Sequence, residues 1–208
     1  GNEMNKMRVG LLYGGRSVEH EVSIVSATSI RKALDPERFE VIPIGVDHAG
    51  RFHLLSSDGR NDSAVSLQAG LQGPEVWIHP APDAPTLLCP STQKSFNLDV
   101  FFPIIHGTGG EDGVLQGLLE LSGVPYVGSG VTSSAIQMDK DLTKRLLEKG
   151  GVPVVPWITI TRHEIVSLGE HRSELEARVQ NELGLPVFVK PASLGSSVGI
   201  AKVKAIAE

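Results

Sequence analysis

Short apolar runs alternate with helical patterns over the first 130 residues of the chain. The clearest runs, at 8–13, 39–46 and 98–105, predict buried strands. A helical pattern over 18–34 follows the first run, and another over 114–121 follows the third. One side of the 18–34 pattern carries Val18, Val22, Val25, Ile30 and Leu34. Because strands that alternate with helices pack as a parallel sheet covered by helices, we predict an α/β fold.

The pattern changes after Gly130, where Gly128-Ser129-Gly130 interrupts it. Beyond this point we predict helices over 131–138 and 140–149, an extended segment over 154–161, a helix near 173–183, and strands over 187–190 and 199–203. Residues 126–127, just before this glycine-serine interruption, are predicted to form a brief strand. The earlier stretch 56–97 is rich in Gly, Pro, Ser and Asp, which predicts loops and small edge hairpins. We therefore expect two domains, 1–130 and 131–208.

A loop of small residues joins the last two predicted strands and follows Lys190. Its glycines let a phosphate approach backbone N–H groups, while hydroxyls and the lysine add donors and charge. The residues concerned are Ser193, Gly195, Ser196, Ser197 and Gly199. A Walker loop is excluded, since no Gly-Lys-Ser/Thr runs into a helix. A flexible hairpin turn with a surface lysine explains the same residues equally well.

Two residues of the first 130 lie where a strand meets a helix. Glu19 follows Gly14-Gly15-Arg16-Ser17, although a first-turn acid with Ser17 as the helix cap is a purely structural reading. His106 follows the strand over 98–105 and faces a glycine-rich loop and a helix start, whose N–H groups attract carboxylates or an oxyanion. A structural role fits His106 as well.

Composition narrows the class of protein. The chain has 208 residues, 40% of them hydrophobic, with 19 basic against 24 acidic side chains and a net charge of −5. Scattered basic residues argue against a nucleic-acid binder. The single cysteine, Cys89, cannot form an internal disulfide, and no apolar run approaches the length of a membrane span. We expect a protein of the cytoplasm that binds neither nucleic acid nor membrane.

Four segments, in this order, resemble the D-alanine-D-alanine ligases of the ATP-grasp superfamily. They are LYGGRSVEHEVS (12–23), IHGTGGEDGVLQG (105–117), VGSGVTSSAIQMDK (127–140) and VKPASLGSSVG (189–199). The resemblance implies a Rossmann-like parallel-sheet N-terminal domain followed by an incomplete α+β ATP-grasp domain. It also implies a homodimer formed through the first domain.

The resemblance implies a ligation reaction that supplies a peptidoglycan precursor. ATP would phosphorylate the carboxylate of one D-alanine, and the amine of a second D-alanine would attack the acyl phosphate. Glu19 would hold the first ammonium group, His106 would line that pocket, and Ser196 would orient the network that deprotonates the second amine. Contacts to ATP would come from Lys140, Lys190 and Ser197.

Family members are longer than this chain, so the resemblance places the Mg²⁺ ligands and a transition-state arginine beyond Glu208. We therefore expect these 208 residues alone to be inactive. A D-alanine-D-lactate ligase shares nearly all the quoted segments. A non-catalytic module that binds an amino acid or nucleotide is a further alternative, and another ATP-grasp carboxylate ligase is disfavoured by the Glu19 and His106 segments.

Overall fold

The computed structural model describes residues 6–55 and 63–206. Backbone packing divides the chain into two compact units, Gly1–Ala135 and Ile136–Glu208. The domain boundary that we placed after Gly130 stays a prediction. Among the described residues, no helix is long and apolar enough to cross a bilayer.

The first unit alternates strands and helices, as the hydrophobic pattern predicts. Its elements are β1 (Met7–Gly14), α1 (His20–Ala33), β2 (Phe39–Val46), β3 (Phe52–Leu54), α2 (Ala64–Gly70), β4 (Trp77–Ile78), β5 (Leu87–Cys89), β6 (Lys94–Phe96), β7 (Val100–Pro103), α3 (Val114–Ser122) and α4 (Val131–Met138), the last of which extends past Ala135. The main sheet has the order β3-β2-β1-β7. Strand β1 pairs in parallel with β2 and with β7, which confirms the predicted α/β fold with a parallel sheet.

The core lies on both faces of β1, because successive side chains of a strand point in opposite directions. Leu12 packs on one face with residues of β2, β7 and α3. Leu11 and Tyr13 pack on the other face against α1 and α2. A central strand that is buried on both faces accounts for the uninterrupted apolar run seen in the sequence.

The face of α1 that packs against the sheet is not the valine-containing face that the sequence pattern predicts. Its buried residues are His20, Ser23, Ile24 and Ala27. Val18, Val22 and Val25 are exposed instead. Small side chains at Ser23 and Ala27 let the helix lie close to β1, and Ser23 bonds to the backbone there. Part of the polar side of this helix therefore packs against the sheet.

In the first unit, two predicted strands are shorter in the structure and one helix is present that the pattern does not predict. The strand expected over 98–105 is limited to β7, although Ile104 N–H still donates to Leu12 O at 2.8 Å. The strand expected at 126–127 is only an isolated parallel bridge between Tyr126 and Phe101. Within 56–97, the antiparallel sheet β4-β5-β6 confirms edge hairpins, whereas α2, capped by Ser63, was not expected. The predicted loop over 56–62 lies outside the described residues.

The second unit contains helices and one small antiparallel sheet. Its elements are α5 (Lys140–Lys149), α6 (Arg162–Val166), α7 (Leu168–Glu182), β8 (Val187–Val189) and β9 (Ala201–Val203). Helix α5 has the predicted bounds because the Asp139 side chain caps it by accepting from Leu142 N–H. The helix expected near 173–183 begins earlier and is preceded by α6, which a capping box between Thr161 and Glu164 starts.

Candidate functional site

Ser17 joins the two glycine-containing loops of the first unit. Its hydroxyl donates to His106 O at 2.7 Å and accepts from Glu19 N–H at 3.1 Å. The alternative structural role, with Ser17 as the cap of α1, does not hold, because Glu19 occupies the N-cap position. Ser17 instead sets the spacing between the Glu19 segment and the His106 segment, which lie 87 residues apart in sequence (106 minus 19).

The carboxylate of Glu19 lies against the loop that follows His106. A methyl group added at Gly107 would lie 2.5 Å from Glu19 Oε2 and 3.1 Å from Ser17 Oγ. Gly107 also has φ +75°, a conformation that favours glycine. Only glycine therefore lets this loop approach Glu19 so closely. Glu19 is partly exposed, so its carboxylate can meet a cationic group from solvent.

His106 is held from two sides by residues that the sequence did not single out. Its Nε2 lies 2.9 Å from Ser26 Oγ, and its Nδ1 lies 3.7 Å from Glu111 Oε1. The ring is 22% exposed. Ser26 lies three residues after Ser23, whose hydroxyl accepts from Gly14 N–H and donates to Ile104 O. Serines at this helical spacing on α1 were the available signal.

The amides of the glycine loop after His106 are less available than expected. Gly107 N–H donates to Glu111 Oε2 at 2.7 Å, and Gly109 N–H donates to Asp112 Oδ2 at 2.8 Å. The expectation that they attract an external anion is therefore wrong for these two amides. Acidic residues three and four positions along the chain satisfy them locally.

In the second unit, Lys140 ties the start of α5 to the serine-glycine loop, residues 191–200. Its backbone N–H donates to Ala192 O at 3.0 Å, and its Nζ donates to Leu194 O. The ammonium group thus lies beside the backbone of the predicted phosphate-binding segment. The structure brings these two sequence signals together.

The serine-glycine loop has an unusual backbone. Ser196 and Ser197 have φ of 50° and 61°, a region that residues other than glycine seldom adopt. Val198 N–H closes a turn onto Gly195 O at 3.0 Å. The loop joins β8 and β9, which pair antiparallel, so the predicted strand, loop and strand are confirmed. Lys190 is exposed directly after β8.

Asp141 braces α5 from the residue next to Lys140. Its carboxylate accepts from Arg145 Nε at 2.8 Å, from the Thr159 hydroxyl, and from Trp157 Nε1 at 2.9 Å. These hydrogen bonds, that of Arg145 foremost, lower the pKa of Asp141 to about 2. The Asp141–Arg145 pair has ordinary i,i+4 helical spacing, whereas only the folded backbone brings Trp157 and Thr159 to Asp141.

Family models match both units. The D-ala D-ala ligase N-terminus matches residues 8–129, and the D-ala D-ala ligase C-terminus matches residues 146–208. Among curated relatives, D-alanine--D-alanine ligase A of Bradyrhizobium diazoefficiens is 48% identical over 96% of this chain and 54% of its own length. The enzyme of the same name from Escherichia coli K12 is 45% identical over 96% and 54%.

Solved structures give the same result. The D-alanine-D-alanine ligase of Coxiella burnetii matches with a TM-score of 0.81 and 37% identity, covering 97% of this chain and 58% of that one. The VanG D-Ala:D-Ser ligase of Enterococcus faecalis matches with a TM-score of 0.79 and 30% identity, covering 95% and 55%. The chain spans about half the length of the curated relatives it matches. The chain belongs to the D-ala D-ala ligase family.

Proposed function

We propose that the protein containing this chain ligates two D-alanines to D-alanyl-D-alanine with ATP, through an acyl phosphate. The observation that carries this proposal is the Ser17 link, which holds Glu19 and His106 together in a chain of the ligase family. The dipeptide would serve as a peptidoglycan precursor. The names of the relatives indicate the substrate, and the geometry supplies a carboxylate suited to an ammonium group.

In this proposal Glu19 binds the ammonium group of the first D-alanine. A carboxylate supplies only acceptors and an ammonium only donors, so the pair is complementary in charge and hydrogen bonding. His106, oriented by Ser26, lines the same pocket. The neighbouring Gly107 keeps the space beside the Glu19 carboxylate free of a side chain.

Lys140, Lys190 and Ser197 bind the ATP phosphates in this proposal. Lys190 is exposed and can turn toward an anion. Lys140 holds the serine-glycine loop through Leu194 O, so it both carries charge and orders the backbone around the phosphates. Ser196 orients the network that removes a proton from the second amine. Both serines have a left-handed backbone, which residues other than glycine seldom adopt and which constrains the direction of their side chains.

Mg²⁺ belongs to the proposed reaction, in which it would neutralise the transferring phosphate. Within 6–55 and 63–206, the group of close potential ligands is His20, Glu21 and His48. Two imidazoles do not fit the oxygen coordination that Mg²⁺ prefers. This cluster therefore does not suit the ion.

A different second substrate is the main alternative. The VanG relative is named a D-Ala:D-Ser ligase, and a D-lactate enzyme would use the same first-substrate residues. The nucleophile would then be D-serine or D-lactate, with Glu19 unchanged in its role. A binding module without catalysis is the alternative from another class, favoured if the open reading frame ends at Glu208.

The test is phosphate release that requires both ATP and D-alanine, measured on the gene product that contains this chain and on the 208 residues alone. We expect turnover in the former and none in the latter. Glu19→Gln should lower kcat/KM for the first D-alanine about 10- to 100-fold, because the amide keeps an acceptor but loses the negative charge opposite the ammonium group. Glu37→Gln, at an exposed turn, is the control.

Wild-type turnover in the Glu19→Gln protein would remove Glu19 from the site. D-alanine-independent nucleotide binding without turnover would favour the binding module. Phosphate release with D-serine or D-lactate in excess of that with D-alanine would reassign the second substrate.

We also propose that the protein is cytoplasmic and forms a homodimer through its first unit. Exposed valines in α1 and just before it support a contact there, since they offer apolar surface: Val18, Val22 and Val25. Sedimentation velocity should give twice the chain mass. A monomer at micromolar concentration would contradict this part of the proposal.

A further inference from the structure

His20, Glu21 and His48 form a cluster outside the proposed ligase chemistry. Potential ligand atoms of the three side chains all lie within 4.8 Å of one another. His20 and Glu21 begin α1, and His48 lies in the turn after β2. The cluster therefore sits at the edge of the sheet where β1 and β2 end.

His20 has a buried nitrogen without a partner. The side chain is 1% exposed, and its Nδ1–H donates to Gly15 O at 2.6 Å. Its Nε2 is buried and has no hydrogen-bond partner in the structure. A buried acceptor that makes no hydrogen bond is destabilising, so this nitrogen calls for a ligand. An Nδ1–H fixed on a backbone carbonyl with a bare Nε2 is the usual arrangement of a metal-binding histidine.

The turn that carries His48 is rigid. Asp47 Oδ1 accepts from Ala49 N–H at 2.8 Å and from Arg51 N–H at 2.9 Å. Asp47 Oδ2 lies 2.9 Å from His53 Nε2, which anchors the turn to β3. His48 is thus presented from a braced backbone, while its own side chain is exposed.

We propose that His20 Nε2, His48 and Glu21 bind a divalent transition-metal ion, with Zn²⁺ the best match. Two imidazoles and one carboxylate form a recognised three-ligand zinc set, with a fourth position left for solvent. The donor types suit Zn²⁺ better than Mg²⁺ or Ca²⁺. The site is independent of the proposed ligase activity.

Coordination requires the His48 ring to turn. The rings of His20 and His48 are stacked, with centroids 3.9 Å apart and an interplanar angle of 26°. A metal lies in the plane of each imidazole that binds it, at about 2.0–2.1 Å, so stacked rings cannot share one ion. His48 is exposed and can rotate toward the ion, whereas the carbonyl of Gly15 fixes His20.

The test is titration of the purified protein, stripped of metal and free of any polyhistidine tag, with Zn²⁺ by calorimetry and with Co²⁺ by visible absorption. We expect one ion per chain and a Co²⁺ spectrum of low coordination number. His48→Ala should weaken binding at least about tenfold, and Glu21→Gln should weaken it as well. His163→Ala, which removes an exposed histidine of α6, should leave binding unchanged.

A long-range ¹⁵N spectrum gives a second readout that does not depend on a His20 variant that might fail to fold. Zn²⁺ should shift His20 Nε2 and leave its Nδ1 protonated. Unchanged affinity in His48→Ala, or no saturable binding by wild type up to about millimolar Zn²⁺, would overturn this assignment. So would a Zn²⁺-induced shift at other histidines with none at His20.

Discussion

The two units of the chain differ in how they hold their shape. In the first unit, strands and helices enclose two clusters of buried apolar residues. In the second, no residue is fully buried among those described from 136 to 206. Large apolar side chains such as Phe188 and Leu146 are exposed there. Hydrophobic burial therefore stabilises the first unit far more than the second.

Polar contacts take the place of a core in the second unit. Asp141 ties α5 to the extended segment that carries Trp157, and Lys144 lies 5.3 Å from the centre of the Trp157 ring. Arg178 bonds to Glu164 and to Thr159 O, which joins α7 to α6 and to the same segment. Exposed polar contacts contribute about 0–1 kcal/mol each, so this unit depends on several acting together.

The largest effect should come from removing a core side chain of the first unit. Leu12 is fully buried, so Leu12→Ala should lower the free energy of unfolding by about 2–5 kcal/mol through lost burial and a cavity. Leu146→Ala, at a residue 47% exposed in the second unit, should cost less than about 1 kcal/mol. Urea unfolding measures both. Equal losses would mean that the second unit has a core after all.

An intermediate effect should come from Asp141. Its folded pKa of about 2 lies below the ordinary 3.8, so the ionised form stabilises the unit above about pH 3.8. This contribution is lost as the pH falls from 3.8 through 2. Asp141→Asn should cost about 1–2 kcal/mol at neutral pH, after allowance for solvent screening, and should flatten this pH dependence.

Trp157 fluorescence in a Trp77→Phe background reports on the second unit during this measurement, because the chain has two tryptophans. Asp83→Asn, in an exposed loop of the first unit, is the matched control and should leave the transition unchanged. An Asp141→Asn protein with the wild-type acid transition would show that the carboxylate does not brace α5.

The smallest effect should come from the serine-glycine loop. At Ser197, with φ 61°, glycine relieves backbone strain but adds entropy to the unfolded chain. The free energy of unfolding of Ser197→Gly should therefore stay within about 0.5 kcal/mol of wild type. Ser193 has no such strain to relieve, so Ser193→Gly should lower the free energy of unfolding by about 0.5–1 kcal/mol. The same Trp157 signal measures both, and equal costs would argue against strain at Ser197.

Local patterns predicted the parts of the fold that local forces decide. Strand β2 and helices α4 and α5 have the predicted bounds, because an apolar run and the Asp139 cap define them within a few residues. Helix α2 was missed because Ser, Gly and Asp around it are typical of loops. The valine pattern does not predict the buried face of α1, because helical spacing reveals an apolar face but not which face packs against the sheet.

The roles of the site residues stay predictions, but their surroundings show where sequence reasoning stops. The glycine loops, Lys140 and the serine-glycine loop are visible as local motifs. The link through Ser17, the support of His106 by Ser26 and the bracing by Asp141 are not. Each joins groups well apart along the chain, so only the folded backbone brings them within hydrogen-bond distance.

The sequence by itself determined the α/β alternation, the family segments and the residue types available for binding. Tertiary structure decided which face of α1 is buried, which loop amides stay available, and where His20 meets His48. The physical reason is the separation along the chain over which each interaction acts. Propensity, capping and turn chemistry act over a few residues, whereas burial and long-range hydrogen bonds depend on which strands pair.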